Sequence, residues 1–450
     1  MYPKRTLAST DDIPEKKRFR ADVLDLTISS DISGQRAARL IQNAKLANTE
    51  NINDLAKVPV GQNSARDLLR RCFRNSKWPD VYALEVPAWN PGKNVAQTMT
   101  LHMLLPHELM LAVLKVNSME GLLRRQQLAL AHRPDLNRHL GRASAQLGID
   151  ATKTLIAGLW VDSVPFNSDR TQSLEVFTFS LIGEGPMRRR ELTSMDFLMR
   201  QHAADKFVSQ IFTIPLFGSE NCKLDFLHCV DLGVTCDFVG SLFYYLQEFV
   251  LPGRSRHDKC ALIFKEISAY YKANDSENRL PKLVPTMLRA EERGKMKAPK
   301  LRAKAGEART LVPCVMQIAE KFLDSSVPAQ STMIHASRRL NSMYECLSEG
   351  RWLPDLFMQA SREFLLLMEG LESHFLDLKL FRLKPKAHQL YELGLDRVNP
   401  TKHWTYRDES FGHSMALLAR RRGGRFSMSA VSWTVLKRFT AGNQLPRLDE

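Results

Sequence analysis

The sequence predicts a mixed α/β protein that is predominantly helical. Two observations carry this. One is a clear pair of strands. Residues 156–161 form an apolar run that ends at Asp162, a polar bridge covers 167–173, and 174–182 reads as the second strand. There Val176, Thr178 and Ser180 alternate with Phe177, Phe179 and Leu181, the two-residue period of a strand. The other is helical periodicity through most of the remaining chain, with no repeat of fixed period.

Taken in order, residues 1–30 read as a disordered basic tail. Lys4-Arg5 and Lys16-Lys17-Arg18-Phe19-Arg20 fit a bipartite nuclear localisation signal, or a solvated tail. Residues 31–148 form an N-terminal helical region. Ala37, Leu40, Ile41 and Ala44 recur at helical spacing, and Ser64 is placed to cap a helix over 65–74 that carries Arg66, Arg70, Arg71 and Arg74. That pair suits a small DNA-contacting module or a basic hairpin packed on the main domain. Residues 77–92 hold Pro79, Pro87 and Pro91 and read as extended or looped. A short strand at 99–105 precedes Pro106-His107-Glu108, which opens a helix to Leu114. His107 and Glu108 lack a second His four residues on, so they read as a helix start. Residues 119–139 continue helical.

After Gly183, a basic turn at 184–190 leads to a helix over 193–208 and a short apolar strand at 211–217. Residues 224–250 form a long, largely helical apolar stretch, with Gly233 and Gly240 seven apart and able to admit a close neighbour. Residues 260–271, 282–293, 306–323, 335–347 and 353–378 show helical periodicity. The basic run 289–309 reads as a solvated face or a phosphate contact. Cys222, Cys229 and Cys236 recur every seven residues, which matches no zinc spacing. A final amphipathic segment covers 429–439.

Lys plus Arg is 64 against 49 Asp plus Glu, a formal charge of +15. A surplus of that size favours a polyanionic partner: DNA, RNA or an acidic membrane surface. No run of about 18 apolar residues is present, and the N-terminus has no apolar segment, so neither a membrane span nor a signal peptide is expected. Seven scattered cysteines fit a reducing compartment.

Three acidic places stand out for chemistry. Asp162 ends the first strand. Asp225 lies in Asp225-Phe226-Leu227-His228, followed by Asp231. Glu409 lies in His403-Trp404-Thr405-Tyr406-Arg407-Asp408-Glu409-Ser410-Phe411-Gly412. Acids so far apart meet only through a fold, and phosphodiester chemistry supplies a reason for them to meet. Divalent ions activate the attacking oxygen and stabilise the leaving one, and hard cations need several carboxylate oxygens. Lys384, Lys386, Arg407, Arg420, Arg421 and Arg422 are placed to neutralise phosphates. Trp404 and Tyr406 suit base stacking, or anchorage of the last helix to the sheet.

The order of these pieces resembles the catalytic region of eukaryotic cut-and-paste DNA transposases. It is similar to transposase-like proteins abundant in dinoflagellate genomes, and distantly to the CACTA-type group. The resemblance covers roughly residues 60–440. It rests on Trp160-Val161-Asp162-Ser163-Val164-Pro165, Asp225-Phe226-Leu227-His228-Cys229-Val230-Asp231-Leu232-Gly233-Val234, Lys384-Pro385-Lys386-Ala387-His388 and Tyr406-Arg407-Asp408-Glu409-Ser410-Phe411-Gly412. It implies a ribonuclease-H-like core and a large all-α insertion. Strands and the D-x-x-H segment would occupy 149–234, the insertion 235–380, and a return to the sheet 381–450. It implies Asp162 and Glu409 as catalytic, metal-binding acids, Mg2+ or Mn2+ as cofactor, DNA as partner, a possible homo-oligomer and a nuclear location. The pattern is broken in one respect. The strand that should carry the second acid is missing between Gly183 and Asp225, so the core is truncated. Asp225 or Asp231 is the candidate substitute. The expectation is a DNA-binding, degenerate transposon remnant that has lost strand cleavage. The alternatives are a non-catalytic nucleic-acid-binding or helical scaffold protein, and a different metal-dependent nuclease.

Overall fold

The computed structural model of the chain describes residues 15–28, 32–73, 78–90, 95–165, 173–183, 197–199, 222–289, 291–292, 295–347, 352–406, 409, 412, 415–416, 419, 428–442 and 445. It is predominantly helical with a small sheet, as its periodicity predicts. Two compact units form. One comprises Met1–Ser219 with Asp408–Glu450, the other Glu220–Arg407.

The first unit begins with α1 (Glu15–Ile28), α2 (Gly34–Leu46) and α3 (Ser64–Phe73). The expected disorder does not extend over residues 15–28. Val23 is buried with Ile41, Ile52, Leu55 and Leu68, and Phe19 and Leu24 pack against that cluster. The Arg20 guanidinium forks onto the Asp54 carboxylate. An apolar stripe at helical spacing therefore folds this part of the tail despite its charge. Ser33 caps α2 by accepting from the Arg36 N–H at 3.2 Å. Ser64 does not cap α3 from in front. It is the helix's first residue, and its hydroxyl turns back, accepting from the Gly61 N–H at 2.7 Å and donating to the Pro59 carbonyl at 2.8 Å.

β1 (Tyr82–Asn90) and β2 (Val95–Met103) form an antiparallel hairpin. Of the two readings of 77–92, the extended one holds over Tyr82–Asn90, and Pro87 is tolerated because β1 is an edge strand, where it can lack an N–H without breaking an interior ladder. α4 (Pro106–Leu114) starts on its proline as expected. The stretch 119–139 is helical as expected, divided between α5 (Met119–Ala131) and α6 (Pro134–Leu147). Pro134 causes the break, since its ring excludes a helical conformation at Arg133.

β3 (Ala157–Pro165) and β4 (Ser173–Leu181) form the expected hairpin, with Asp162 opposite Val176. β5 (Phe197–Met199) completes a sheet of order β1-β2-β5-β4-β3 in which every pairing is antiparallel and β3 is an edge. Val176 and Leu104 share a cluster with Met415, Ala416, Ala419 and the C-terminal helix Met428–Gly442, and Trp160 packs against it. The helix expected over 193–208 is contradicted where it is described, since 197–199 are β5; a strand therefore does lie between Gly183 and Asp225, though its three residues carry no acid. The rest of that span, and the strand expected over 211–217, fall outside the described residues.

The second unit is built on one continuous helix, here called α7 (Leu227–Val250), which is α-helical over Cys236–Tyr245 and π-helical over Leu227–Thr235 and Leu246–Val250. This helix is long and apolar enough to cross a membrane, but it is mostly buried and forms the unit's core. Around it stand α8 (Arg256–Ala273), α9 (Ala305–Phe322), α10 (Pro328–Glu345), α11 (Pro354–His374) and α12 (Pro385–Asp396). Phe226, Phe238, Phe243, Phe357, Phe364 and Phe381 are fully buried between them. The helix expected over 282–293 is absent. Pro285 would sit inside it, and the chain instead makes one 3-10 turn at Pro285–Met287 and the two-residue strands β6 (Glu291–Glu292) and β7 (Lys295–Met296).

The two glycines of α7 have the purpose their spacing suggested. The Leu301 N–H donates to the Cys236 carbonyl at 2.8 Å. A Cβ on Gly240 would lie 2.4–2.5 Å from the backbone of Lys300 and Leu301. A Cβ on Gly233 would lie 2.7 Å from Cδ of Lys386. Gly240 thus lets another segment cross the helix at backbone distance, whereas Gly233 makes room for the Lys386 side chain.

Candidate functional site

Two features of the second unit share α7: a buried polar latch and a basic cleft.

The latch begins at the D-x-x-H motif, which folds as a helix cap. Asp225 stands just before α7, where its carboxylate accepts from the N–H groups of Leu227 (3.2 Å) and His228 (3.0 Å). His228 reaches back, its Nδ1 donating to the same carboxylate at 2.6 Å. Thr405 adds two more bonds, from its N–H (2.9 Å) and its hydroxyl (2.8 Å). Burial works against ionisation of Asp225, but the bonds from His228 and Thr405 outweigh it and hold the carboxyl below its usual range. Five donors use up the four or so lone-pair sites of a carboxylate, so Asp225 has no oxygen left for a metal ion. Asp225→Ala is expected to lower the unfolding free energy by about 1–2 kcal/mol, the cost of a lost cap. Asp225→Asn keeps one accepting oxygen and should lose less. Urea unfolding of both variants measures the difference; equal stability of Asp225→Ala and the parent would contradict the cap.

One turn on, Asp231 is fully buried. The Tyr344 hydroxyl donates to one of its oxygens at 2.6 Å and the Tyr406 hydroxyl to the other at 2.7 Å. Thr235 donates in turn to Tyr344 at 2.8 Å. Arg309 lies 4.4 Å from the ring centre of Trp404. Burial pushes Asp231 up to about 6, against the pull of the two tyrosine bonds and Arg309. Trp404-Thr405-Tyr406 therefore anchors onto α7 through Asp225 and Asp231, not onto the sheet. The sequence contained the motif but not its partner.

The cleft lies against the outer face of α7. Its volume is about 620 Å³. Its cationic lining is Lys297, Lys300, Arg302, Lys384 and Lys386, with His228 beside them, and no Asp or Glu among the described residues lines it. The rest of the wall is aliphatic apart from Cys236, whose thiol burial pushes up to about 12 and so keeps protonated. The Lys384 ammonium reaches the Asp237 carboxylate at 2.7 Å, and the Lys386 ammonium donates to the His228 carbonyl at 2.6 Å. Both lysines of the K-P-K motif thus face the cleft and fasten α12 to α7. The run 297–302 supplies the other cations along the segment that Gly240 admits.

The remaining candidates fall as follows. Asp162 lies on β3, with its side chain outside the described residues. Glu409 is half-buried in a helical turn of the first unit. Arg407, Arg420, Arg421 and Arg422 lie outside the described residues. Among the described residues, no group of three or more His, Cys, Asp or Glu side chains is gathered closely enough to hold a metal ion. Cys229 and Cys236 are buried in α7, whereas Cys222 is exposed ahead of it, so the three do not share a helix face. Sequence reasoning did not single out Tyr344, for which no motif gives a signal. The run 289–309, a solvated face or a phosphate contact by sequence, docks on α7 at Gly240, and the seven-residue glycine spacing is the signal for a close neighbour there.

No family model matches the chain, and no curated protein sequence matches it.

Proposed function

We propose that this chain is a transposase-like, DNA-binding protein of the nucleus that contacts phosphates through the basic cleft on α7. The observation that carries the reading is that cleft. Five cationic side chains converge there with no acid among the described lining residues, one of them, Lys384, paired with Asp237 behind it, on a chain of net charge +15. Two of them, Lys384 and Lys386, belong to the motif that prompted the resemblance. A second observation supports the ribonuclease-H-like part of the proposal. Trp160, two residues before Asp162, and Val176, its pairing partner, pack with Met415, Ala416 and Ala419, which closely follow Glu409. In this reading Asp162 and Glu409 would hold Mg2+ or Mn2+, which would supply activation of the attacking oxygen. Arg407 and the 420–422 arginines would add phosphate contacts, and the working form would be a homo-oligomer.

The alternative, a non-catalytic nucleic-acid binder, draws support from Asp225. Its five hydrogen bonds remove it as a third metal-binding acid. Cleavage would then rest on two carboxylates alone, and a degenerate remnant is the reading we favour.

Gel-shift titration of the full chain against a 30-base-pair duplex and its component strands, over a range of salt, tests binding. Affinity for at least one of them should fall linearly on a log–log plot against salt. Incubation of supercoiled plasmid with Mn2+ tests cleavage, with Asp162→Asn and Glu409→Gln as controls. Absence of binding even at low salt would end the proposal. Nicking lost in both variants would favour the active enzyme over the remnant.

A further inference from the structure

We propose that the cleft on α7 accepts a flexible chain of consecutive phosphates, the backbone of an unpaired strand, rather than duplex DNA. This rests on the nucleic-acid reading above and narrows it. Its shared chemistry, successive phosphates on a bendable chain, is also that of free polyphosphate.

Three features point there. The first is size. A recess of about 620 Å³ is in the range of small-ligand sites, roughly 300–1,000 Å³, rather than an extended duplex track. The second is the arrangement of charge. Lys297, Lys300 and Arg302 come from one extended segment, and Lys384 and Lys386 from the start of α12, so the cations surround the recess from two sides. A ligand meeting both sides must present several phosphates within a short span and turn between them. A single strand bends over a few nucleotides. A duplex is stiff over about 50 nm and carries its phosphates along the outside of a rigid cylinder. The third is the neutral wall. Leu232, Ala298 and Ala303 are half-buried and offer aliphatic surface over the fully buried Leu288 and Leu301, and among the described residues no Phe, Tyr or Trp ring lines the recess. Sugars can lie on such a wall, but bases find nothing to stack on. Recognition should therefore be indifferent to sequence.

Lys297, Lys300 and Arg302 are exposed, so they can be changed without opening the core. Lys384 and Lys386 are unsuited to the test because each also fastens α12 to α7. The experiment is fluorescence anisotropy of the full chain with a labelled 12-nucleotide mixed-sequence strand, the same sequence as a duplex, and unlabelled tripolyphosphate as competitor. The parent protein should bind the strand at least tenfold more tightly than the duplex, and tripolyphosphate should displace it. The double variant K300Q/R302Q should bind the strand at least tenfold more weakly. Its log–log salt slope should be shallower by about 1.4, from two lost contacts at about 0.7 each. Lys297→Gln, with a circular-dichroism melt alongside, provides a second variant should the double one fold poorly.

Displacement by tripolyphosphate in assays where the strand itself binds only weakly would keep the phosphate-chain site and assign it to free polyphosphate. Unchanged strand binding by both variants would overturn the site while leaving DNA binding elsewhere on the chain intact. Preference for the duplex, lost in K300Q/R302Q, would overturn the unpaired-strand assignment and leave the proposed DNA-binding function standing.

Discussion

Asp231→Asn should abolish a pH dependence of stability that the parent protein shows between about pH 4 and pH 6. The Asp231 carboxyl is held at about 6 in the folded protein by burial, against an ordinary 3.8. Across that window the folded chain keeps a proton that the unfolded chain has given up. Stability is therefore greatest below the unfolded value and is lost as pH rises through the folded one. A shift of about two units corresponds to about 3 kcal/mol. Urea unfolding at pH 4 and pH 7 measures it. Between those two pH values, the stability of the asparagine variant relative to the parent should rise by about 2–3 kcal/mol. No change would mean that the carboxyl titrates at its ordinary value. Tyr344→Phe should act through the same group. It removes the donor to one oxygen of a fully buried carboxylate, at a cost of about 1–3 kcal/mol at pH 7. Being the loss of a bond to the charged form, that cost should shrink towards pH 4.

Gly240→Ala should be the most damaging single methyl group in the second unit. The added carbon would lie 2.4–2.5 Å from backbone atoms of Lys300 and Leu301. Backbone cannot step aside as a flexible side chain can. The segment must lift off α7, giving up the Leu301-to-Cys236 hydrogen bond, and Leu301 must leave the core. Overpacking of this kind costs about 1–3 kcal/mol, and the lost bond about 1 kcal/mol more. The same movement displaces Lys300 and Arg302, so binding to the cleft should weaken along with stability. Gly370→Ala is the matched control, since a Cβ there meets nothing within 4 Å and the site is helical. Equal thermal melting midpoints for the two variants would contradict the close approach.

Much of the local structure was legible. The alternation at 174–182 gave β4, and Ser33 and Pro106 gave two helix starts. The seven-residue glycine spacing gave the close crossing on α7. What was not legible has specific physical causes. At Pro87 the sequence leaves extended and looped readings open, because a proline argues against a strand unless that strand is an edge, and edge status is a property of the whole sheet. Pro134 and Pro285 were passed over in favour of apolar periodicity, and in both places the missing N–H and the ring prevailed. Residues 15–28 looked unstructured because their charge was weighed and the spacing of Phe19 and Val23 was not.

What the sequence determined by itself was composition-deep and local: a mostly helical chain, one strong hairpin, a large positive surplus, and short motifs able to cap a helix or neutralise a phosphate. Those properties depend on neighbours within a few residues, so they survive without knowledge of the fold. Tertiary structure alone decided what each motif faces. Asp225 and Asp231 became a latch because Thr405, Tyr406 and Tyr344 arrive from more than a hundred residues away. Five scattered cations became one cleft because Gly240 lets the 297–302 segment cross α7 and Gly233 leaves room for the Lys386 side chain. Burial and convergence are set by packing, and packing depends on contacts whose partners lie far apart along the chain.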